Sequence, residues 1–434
     1  MDLNFFAVAG IISLVILLAL GMNVGLTMMV VGFGGVWMIR GFTPALGILR
    51  TVPFSNAMNY SFTVIPLFIL MGQLAFYAGL SADLFSAADK WLGRFKGGLA
   101  MATIAACAGF AAICGSSAAT AATMCVVALP EMRKYGYKDS LATGAISAGG
   151  TLGILIPPST GFIIYGIVAE QSIGRLFAAG VIPGLVLTLC YIVCIAVQVR
   201  LQPDLAPGTK DYPLKEKLIA LKGTIGMLIL FFAVIGGMFS NLFTASEAAA
   251  VGAALALGAL VMKGKFTWKT FVDALRDTIK ASAMVFLILI GAYVFGTFLA
   301  ITRLPMTLAS FVRGLDVNRY VILAFILAVY FVLGCLMDSL AMVVLTIPIF
   351  LPIVTNLGFD PIWYGVIMVM VMQTGLITPP VGMNVYVVAG VAKDVPLVTV
   401  FRGVMPIVLG IVVATAIVAA FPQLSLWLPG ILFG

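Results

Sequence analysis

Long uninterrupted apolar runs constrain the fold of this chain more than any other feature of its sequence. The run from Phe5 to Leu20 is typical, and similar runs recur along all 434 residues, of which only 9% are charged. Soluble domains carry about 25% charged residues, so a soluble fold is excluded. A helix crosses the hydrocarbon core with about 20 apolar residues, and roughly ten to fourteen crossing or re-entrant segments fit this length. We predict an all-α polytopic membrane protein, because the sequence lacks the alternating pattern of a membrane β-barrel.

The residue composition excludes several kinds of chemistry. The chain has no histidine, which excludes bis-histidine haem, histidine proton relays and most zinc sites. Its six cysteines lie in apolar stretches without a CxxC pair, so we interpret them as small hydrophobic residues. The net charge of +8 indicates cytoplasmic lysines and arginines rather than nucleic acid binding. We therefore expect the protein to be surrounded by membrane lipid and to bind no nucleic acid.

An internal repeat organises the chain. Gly72 ends an apolar segment that recurs with Gly291 at its end, and the pair Pro157-Pro158 recurs 222 residues later as Pro379-Pro380. Self-similarity on this scale indicates a duplicated structural unit. We therefore predict a first half over residues 1–205, a polar cytoplasmic linker with an amphipathic segment over 206–222, and a second half over 223–434.

The basic residues indicate how the two halves are oriented. With Lys90 placed in the cytoplasm, all but six of the 24 lysines and arginines fall on the cytoplasmic side, as the positive-inside rule requires. The N-terminus is then periplasmic. A re-entrant hairpin over 97–132 has both ends in the cytoplasm, and a second hairpin over 320–356 has both ends in the periplasm. Such inverted repeats are typical of secondary transporters with a site near the membrane midplane. The six exceptions are Arg40, Arg50, Arg175, Arg303, Arg313 and Arg319.

Each half contains two helix interruptions, a hairpin tip and a break in the next helix, and these broken helices are predicted over 140–170 and 362–392. Irregular backbone at membrane depth is tolerated only where protein or water satisfies it. Freed carbonyls and nearby hydroxyls suit a small hard cation, whereas half-helix N-termini suit an anionic substrate. Close packing of small residues explains one such motif, but two equivalent pairs are harder to explain by packing. The interruptions are Gly115–Thr120, Ile156–Thr160, Met337–Ala341 and Thr378–Asn384.

Three charged residues have both a functional and a structural interpretation. Asp338 lies inside a span, where a carboxylate costs about 3 kcal/mol or more unless it is paired or faces water. We interpret it as functional, with helix capping as the alternative. Glu247 follows Thr244 at the start of a span, where capping is the simpler role. Arg303, at the periplasmic end of a span, either binds a substrate carboxylate or anchors its helix at the membrane interface.

These motifs resemble the large membrane (M) subunit of a tripartite ATP-independent periplasmic (TRAP) transporter. The resemblance runs essentially from end to end and rests on the Gly-Ser-Ser-Ala-Ala-Thr tip, on Ser246–Gly252 and on residues 153–160, 337–341 and 375–386. It implies an elevator-type secondary transporter, not an enzyme, in a bacterial inner membrane and driven by Na⁺. It also implies two partners, a soluble periplasmic binding (P) protein and a small four-helix Q subunit. The Q subunit is expected as a separate chain, because this sequence opens with the M-type first span.

The resemblance also implies binding sites for at least two Na⁺ ions. One ion is expected between Ser116-Ser117 and the carbonyls around Pro157, the other between Asp338-Ser339 and Thr378-Pro379. The second hairpin tip differs in sequence from the first, so the two sites need not coordinate Na⁺ identically. The residues expected to bind Na⁺ are Ser116, Ser117, Thr120, Pro157, Pro158, Ser159, Asp338, Ser339, Thr378, Pro379 and Gly382. Those expected to bind substrate are Ser117, Arg303, Asp338 and Asn384.

The expected substrate is an organic acid. Sialic acid (N-acetylneuraminate) is favoured on the strength of Arg303 alone, and a C4-dicarboxylate is next. The alternative is a proton- or Na⁺-coupled carboxylate transporter of a related elevator family that works without a binding protein. A membrane-embedded enzyme would need more buried charged residues than Asp338, and a channel does not account for the paired interruptions.

Overall fold

The protein is helical throughout the part that the structure describes. The structure is a computed structural model that describes residues 3–206, 211–314 and 317–434. All regular elements in these ranges are helices, and seven of the described helical segments are long and apolar enough to cross a membrane. The predicted all-α polytopic membrane fold is therefore confirmed. Residues 207–210 of the predicted linker and the side chain of Arg313 lie outside the described residues.

The helices follow the two halves of the sequence. The first half contains α1 (Leu3–Ala19), α2 (Val24–Arg40), α3 (Phe42–Ala57), α4 (Val64–Tyr77), α5 (Leu80–Leu92), α6 (Gly98–Cys114), α7 (Ser117–Lys134), α8 (Asp139–Thr151), α9 (Thr160–Val168) and α10 (Ile173–Leu201). The second half contains α11 (Leu214–Phe231), α12 (Gly237–Phe239), α13 (Ala245–Met262), α14 (Trp268–Thr302), α15 (Leu304–Arg313), α16 (Arg319–Gly334), α17 (Ser339–Asn356), α18 (Pro361–Gly375), α19 (Met383–Val391), α20 (Leu397–Ala420) and α21 (Gln423–Phe433).

The second half begins earlier than its predicted boundary. α11 runs from Leu214 to Phe231 without a break, and a π-helical turn over Phe232–Gly236 joins it to α12. The amphipathic segment assigned to the linker is thus the first part of the same helix as the apolar span. The boundary predicted at residue 222 falls inside a helix, because charged residues at the end of a span do not by themselves end it.

Two helical hairpins have their tips inside the protein. α6 ends at Gly115, which adopts a left-handed backbone (φ 63°), a common helix ending. Ser116 is extended and caps α7, so only two residues separate the antiparallel helices of the first hairpin. In the second hairpin α16 is followed by a short turn and Asp338 caps α17. Each tip therefore presents the N-terminus of a helix to the middle of the molecule.

The helix after each hairpin is broken. α8 and α9 are separated by residues 152–159, and α18 and α19 by residues 376–382. A proline pair lies in each break, where it removes backbone donors and prevents the helix from continuing. The two halves interlock at these breaks, because α7 packs against α19 and α17 packs against α9. Each hairpin thus contacts the short helix of the opposite repeat.

The remaining helices form the surface against which the hairpins lie. α2 packs along α14, and α4 packs against α13, α14 and α6. Small residues permit close approach of transmembrane helices, and Gly72 of α4 is one example. A Cβ atom on Gly72 would lie 3.2 Å from the backbone of Cys114, at the end of α6. At Gly72 the first hairpin therefore packs directly against the backbone of α4.

A cluster of ion pairs connects three segments at the end of the first hairpin opposite its tip. Arg133, near the end of α7, places Nε 2.7 Å from a carboxylate oxygen of Asp139, at the start of α8. Its Nη2 lies 2.8 Å from Asp394, which follows α19. The hydrogen bond from Arg133 holds the pKa of Asp394 below its ordinary value. The cluster thus joins the first hairpin to the broken helices of both repeats.

The inverted orientation predicted for the two hairpins determines which of their ends an impermeant reagent can reach. Single cysteines at Lys96 and Lys134, which flank the first hairpin, should resist an impermeant maleimide in whole cells. Cysteines at Val317 and Asn356, which flank the second, should react, because these four positions are exposed in the protein and the positive-inside rule separates them by side. Permeabilised cells provide the control, in which all four should react. Labelling at one end only of either hairpin in whole cells would contradict the arrangement.

Candidate functional site

Four helix N-termini meet at one small cavity in the middle of the protein. The cavity has a volume of about 50 Å³ and is lined by the first residue of α7, α9, α17 and α19. These four residues are Ser117, Thr160, Ser339 and Met383. A helix N-terminus carries a partial positive charge and unpaired N–H groups, so four of them create a region that favours negative charge. The remaining lining residues are Ser116, Ala118, Ile154, Asp338, Leu340, Leu376 and Asn384.

The first hairpin tip is held by the broken helix of its own repeat. The Gly115 carbonyl accepts hydrogen bonds from Thr160, at 2.7 Å from Oγ1 and 3.2 Å from the backbone N–H. A Cβ atom at Gly115 would lie 2.8 Å from the Pro158 carbonyl oxygen. A larger residue at position 115 is therefore excluded both by this contact and by the left-handed backbone.

Behind this tip lies a buried oxygen that lacks an oxygen or nitrogen partner. In the described part of the chain, the Thr120 hydroxyl is buried beside the Cys114 thiol and makes no hydrogen bond to an oxygen or nitrogen atom. A Cβ atom on Gly153 would lie 2.8 Å from this hydroxyl and would collide with the Ser116 carbonyl. Because Gly153 has no side chain, the Ser116 carbonyl and the Thr120 hydroxyl both border the space next to its Cα atom. Buried polar atoms are normally satisfied, so this pair fits a small cation.

The second hairpin tip carries the only acidic residue of the cavity lining. A carboxylate oxygen of Asp338 accepts a hydrogen bond of 2.9 Å from the Leu340 N–H and caps α17. Within the described residues, no lysine or arginine nitrogen lies within 4.0 Å of this carboxylate. The Thr378 hydroxyl of the broken helix lies 3.1 Å from Cys335 Sγ and donates to the Thr374 carbonyl at 3.0 Å. The Asp338 carboxyl group thus caps α17 and has no basic partner among the described residues.

Asn384 connects the two repeats at the cavity. Its side chain is buried, and the Ser117 hydroxyl lies 2.9 Å from its Oδ1 and 2.7 Å from its Nδ2. The same Nδ2 lies 3.3 Å from the Ser147 carbonyl. α19 of the second repeat is therefore hydrogen-bonded to both the tip and the broken helix of the first.

The structure brings together some of the predicted site residues and separates others. Ser116, Ser117, Asp338, Ser339 and Asn384 line the cavity, and Thr120 lies behind the first tip. Arg303 is not among the lining residues; it is exposed, with a left-handed backbone, where α14 meets α15. The other predicted residues form the turns of the broken helices and do not line the cavity: Pro157, Pro158, Ser159, Thr378, Pro379 and Gly382.

Two residues of the site were not among those predicted from the sequence. Thr160 follows the predicted Ser159, whose hydroxyl caps α9 and donates to the Ile154 carbonyl. Ser147, on α8, accepts from Asn384 through its carbonyl, and its buried hydroxyl has no partner among the described residues. The only sequence signal for Thr160 was its place in the proline motif, and Ser147 lies in an ordinary stretch of small residues.

The volume of the cavity limits what it holds in this conformation. Sites for whole organic ligands measure about 300–1,000 Å³, so 50 Å³ suits an ion or a few water molecules. A second cavity of 230 Å³ lies between α4 and the first hairpin, where Gln73 and Thr123 are its polar side chains. Cys114 lines this second cavity and directly precedes the first tip. The second cavity is therefore larger than the first but still smaller than a usual site for a whole organic ligand.

Comparison with known proteins assigns the chain to one family. The family described as "Tripartite ATP-independent periplasmic transporter, DctM component" matches residues 11–424. The C4-dicarboxylate TRAP transporter large permease protein DctM of Pseudomonas aeruginosa is 35% identical over 400 residues, which cover 92% of this chain and 93% of the relative. The sialic acid TRAP transporter large permease protein SiaM of Vibrio cholerae is 33% identical over 425 residues, covering 96% and 97%.

The fold is also similar to that of a solved transporter. The crystal structure of the Alcanivorax borkumensis YdaH transporter aligns with a TM-score of 0.58 and 16% sequence identity, covering 88% of this chain and 89% of that chain. At this identity the likeness concerns the fold alone. It supports the helical membrane architecture described above.

The close approach at Gly153 predicts a measurable cost of adding one methyl group. Gly153→Ala should lower the free energy of unfolding in detergent by about 1–3 kcal/mol, as overpacking of a core does. Gly258→Ala is the matched control, because nothing lies within 4 Å of a Cβ at this position of α13, and alanine favours a helix. Equal unfolding free energies for the two variants would show that the tip does not need this glycine.

Proposed function

The chain belongs to the family of DctM components of tripartite ATP-independent periplasmic transporters, and on this premise we propose that it carries an organic anion across the bacterial inner membrane together with Na⁺. As the large permease of such a system it is a transporter subunit and not an enzyme. The observation that carries the proposal is the meeting of four helix N-termini with one carboxyl group that has no basic partner among the described residues, Asp338, at the interlocked hairpin tips.

Two places near the tips are proposed to bind Na⁺. The first uses the Ser116 carbonyl, the Thr120 hydroxyl and the Ser117 hydroxyl, with carbonyls of the break around Pro157. Its support is the buried Thr120 oxygen, which has no oxygen or nitrogen partner and lies near a backbone carbonyl, because a hard cation prefers oxygen ligands. The second uses Asp338 and Ser339 with the break at Thr378-Pro379 and Gly382. Its support is the charge of Asp338, which a cation would neutralise at membrane depth.

The anionic group of the substrate is proposed to bind at the helix N-termini. Ser117 and Asn384 supply polar groups there, and the adjoining 230 Å³ cavity accommodates the remainder of the molecule. Arg303 lies outside the cavity, so we place it on the entry path rather than at the bound anion. The relatives with similar identity are named for C4-dicarboxylate and for sialic acid. We therefore propose an organic acid as the substrate and test both classes.

A tripartite system requires two further components. We propose a separate small Q subunit in the membrane and a periplasmic binding protein that delivers the substrate, with the N-terminus of this chain in the periplasm. We also propose an elevator motion, in which the hairpins and broken helices move as one body past α4. Its support is the close approach of Gly72 to Cys114, since a small residue at a helix contact leaves no side chain there to interlock with the partner helix.

The coupling proposal predicts Na⁺-driven uptake. Vesicles that contain this chain, its Q subunit and its binding protein should accumulate N-acetylneuraminate or succinate when an inward Na⁺ gradient is imposed. Replacement of Na⁺ by choline, with a proton gradient retained, should abolish uptake. Undiminished uptake in choline would overturn the coupling to Na⁺. Full uptake without the binding protein would instead favour a carboxylate transporter that works alone.

The buried hydroxyl of Thr120 predicts a variant that separates ion binding from folding. Thr120→Val should change the melting temperature in Na⁺-free buffer little, because the hydroxyl has no oxygen or nitrogen partner and loses only a weak contact with the Cys114 thiol. It should raise the Na⁺ concentration for half-maximal uptake at least tenfold, since a lost ligand of about 1.4 kcal/mol changes affinity tenfold. The control is Thr278→Val, at a buried threonine of α14. An unchanged Na⁺ requirement in Thr120→Val would favour a packing role for this tip.

Asp338→Asn distinguishes a functional carboxylate from a helix cap. Asparagine caps helices as well as aspartate does, so the variant should fold and remain in the membrane. Uptake should nevertheless be lost, because the charge that balances a desolvated cation is removed. Wild-type uptake by this variant would show that Asp338 only caps α17.

A further inference from the structure

A groove on the surface of the protein shares no lining residue with the cavity at the hairpin tips. It runs between α10 and α20, has a volume of about 810 Å³, and is lined almost wholly by apolar side chains. Its walls project into the surroundings: Leu189, Val193, Val197 and Leu201 on α10 are 49–77% exposed. Residues four apart share one face of a helix, so this wall is continuous along α10. In a membrane protein such a surface faces lipid.

The length of the groove matches one leaflet of a bilayer. At 1.5 Å per residue, the α10 wall from Leu189 to Leu201 measures roughly 18 Å. The hydrocarbon of one leaflet is about 15 Å thick, half of the core. The groove therefore ends near the middle of the membrane. A transmembrane helix of another protein would need a surface about twice as long, so acyl chains from one leaflet fit the groove better.

Both walls carry an arginine at the open end of the groove. Arg200 follows Val193 and Val197 by seven and three residues, and Arg402 precedes Met405 and Leu409 by three and seven. Residues three and seven apart lie on the same side of a helix, so each arginine stands beside the end of its wall, just outside the residues that line the groove. Both arginines are exposed, and no carboxylate pairs with either in the described ranges.

The same end of the groove offers an unsatisfied acceptor. Gln198 and Gln202 line it, and the Gln198 side-chain oxygen is buried without a hydrogen-bond partner among the described residues. An acceptor of this kind requires a donor such as a hydroxyl group. Two cations and a free acceptor together suit an anionic headgroup that also carries hydroxyls.

We propose that the groove between α10 and α20 binds one anionic phospholipid of the leaflet at the Arg200–Arg402 end, with its phosphate at the two arginines and its acyl chains along the apolar walls. Phosphatidylglycerol has the required chemistry, because its phosphate is anionic and its headgroup hydroxyls can donate to Gln198. The charge distribution of the chain assigns this end to the cytoplasmic leaflet.

The test uses the purified full chain in detergent and counts bound lipid by native mass spectrometry. Dioleoyl-phosphatidylglycerol should bind at least fivefold more tightly than dioleoyl-phosphatidylcholine. Arg200→Gln and Arg402→Gln should each weaken phosphatidylglycerol about fivefold, since a basic side chain contributes about that factor at an anionic lipid surface. Arg94→Gln, a matched change at the exposed end of α5, should have no effect.

A second pair of variants tests the acyl chains. Val193→Trp and Leu409→Trp place a bulky group in the groove from opposite walls, and each should weaken binding of both lipids without lowering the melting temperature in lipid-free detergent. Equal affinity of the wild type for both lipids would overturn the proposed headgroup site. So would an Arg94→Gln effect as large as that of Arg402→Gln. If a tryptophan variant keeps its melting temperature and still binds the lipid as tightly as the wild type, the lipid binds outside the groove.

Discussion

The hydrocarbon interior of a membrane offers no hydrogen-bond partner to an irregular backbone, and the centre of this protein is built around that constraint. Each hairpin tip and each broken helix leaves carbonyl and N–H groups unpaired by helix geometry. The structure satisfies them mutually, as where the Gly115 carbonyl is bonded by both donors of Thr160. The interruptions therefore occur together, and the helix N-termini that result meet at one cavity. The sites proposed for Na⁺ and for the anionic substrate rest on this arrangement of the backbone.

The two repeats share this architecture but differ in the chemistry at their tips. At the repeat offset of 222 residues, Ser116 corresponds to Asp338 and Thr120 to Met342. The first tip therefore offers neutral oxygens, whereas the second offers a charged carboxylate and no hydroxyl at the equivalent buried position. Asn384 has no polar counterpart, because Phe162 stands at the corresponding position. The second repeat thus forms hydrogen bonds from Asn384 to Ser117 at the first tip. Phe162 cannot form the equivalent side-chain hydrogen bonds from the first repeat to the second tip.

The sequence allowed the fold class and the interruptions to be predicted, because apolar length and proline position act locally. It was less informative where the outcome depends on helix ends and on distant contacts. Ser159 was among the residues expected to bind Na⁺ and Thr160 was not, but Ser159 caps α9 and Thr160 bonds the first tip. Ser147 joins the site only through Asn384, more than 200 residues away in sequence. Arg303 was expected either to bind substrate or to anchor its helix, and the end of α14 leaves it exposed outside the cavity.

The central claim is that the interlocked tips bind Na⁺, and a melting experiment on the purified chain tests it most directly. A ligand that binds only the folded state stabilises it by about 2.7 kcal/mol at one hundred times its dissociation constant. Titration with NaCl should therefore raise the melting temperature along a saturating curve, and choline chloride at the same ionic strength should not. Coincident curves for the two salts would contradict the claim, because the shift would then reflect ionic strength rather than a bound ion.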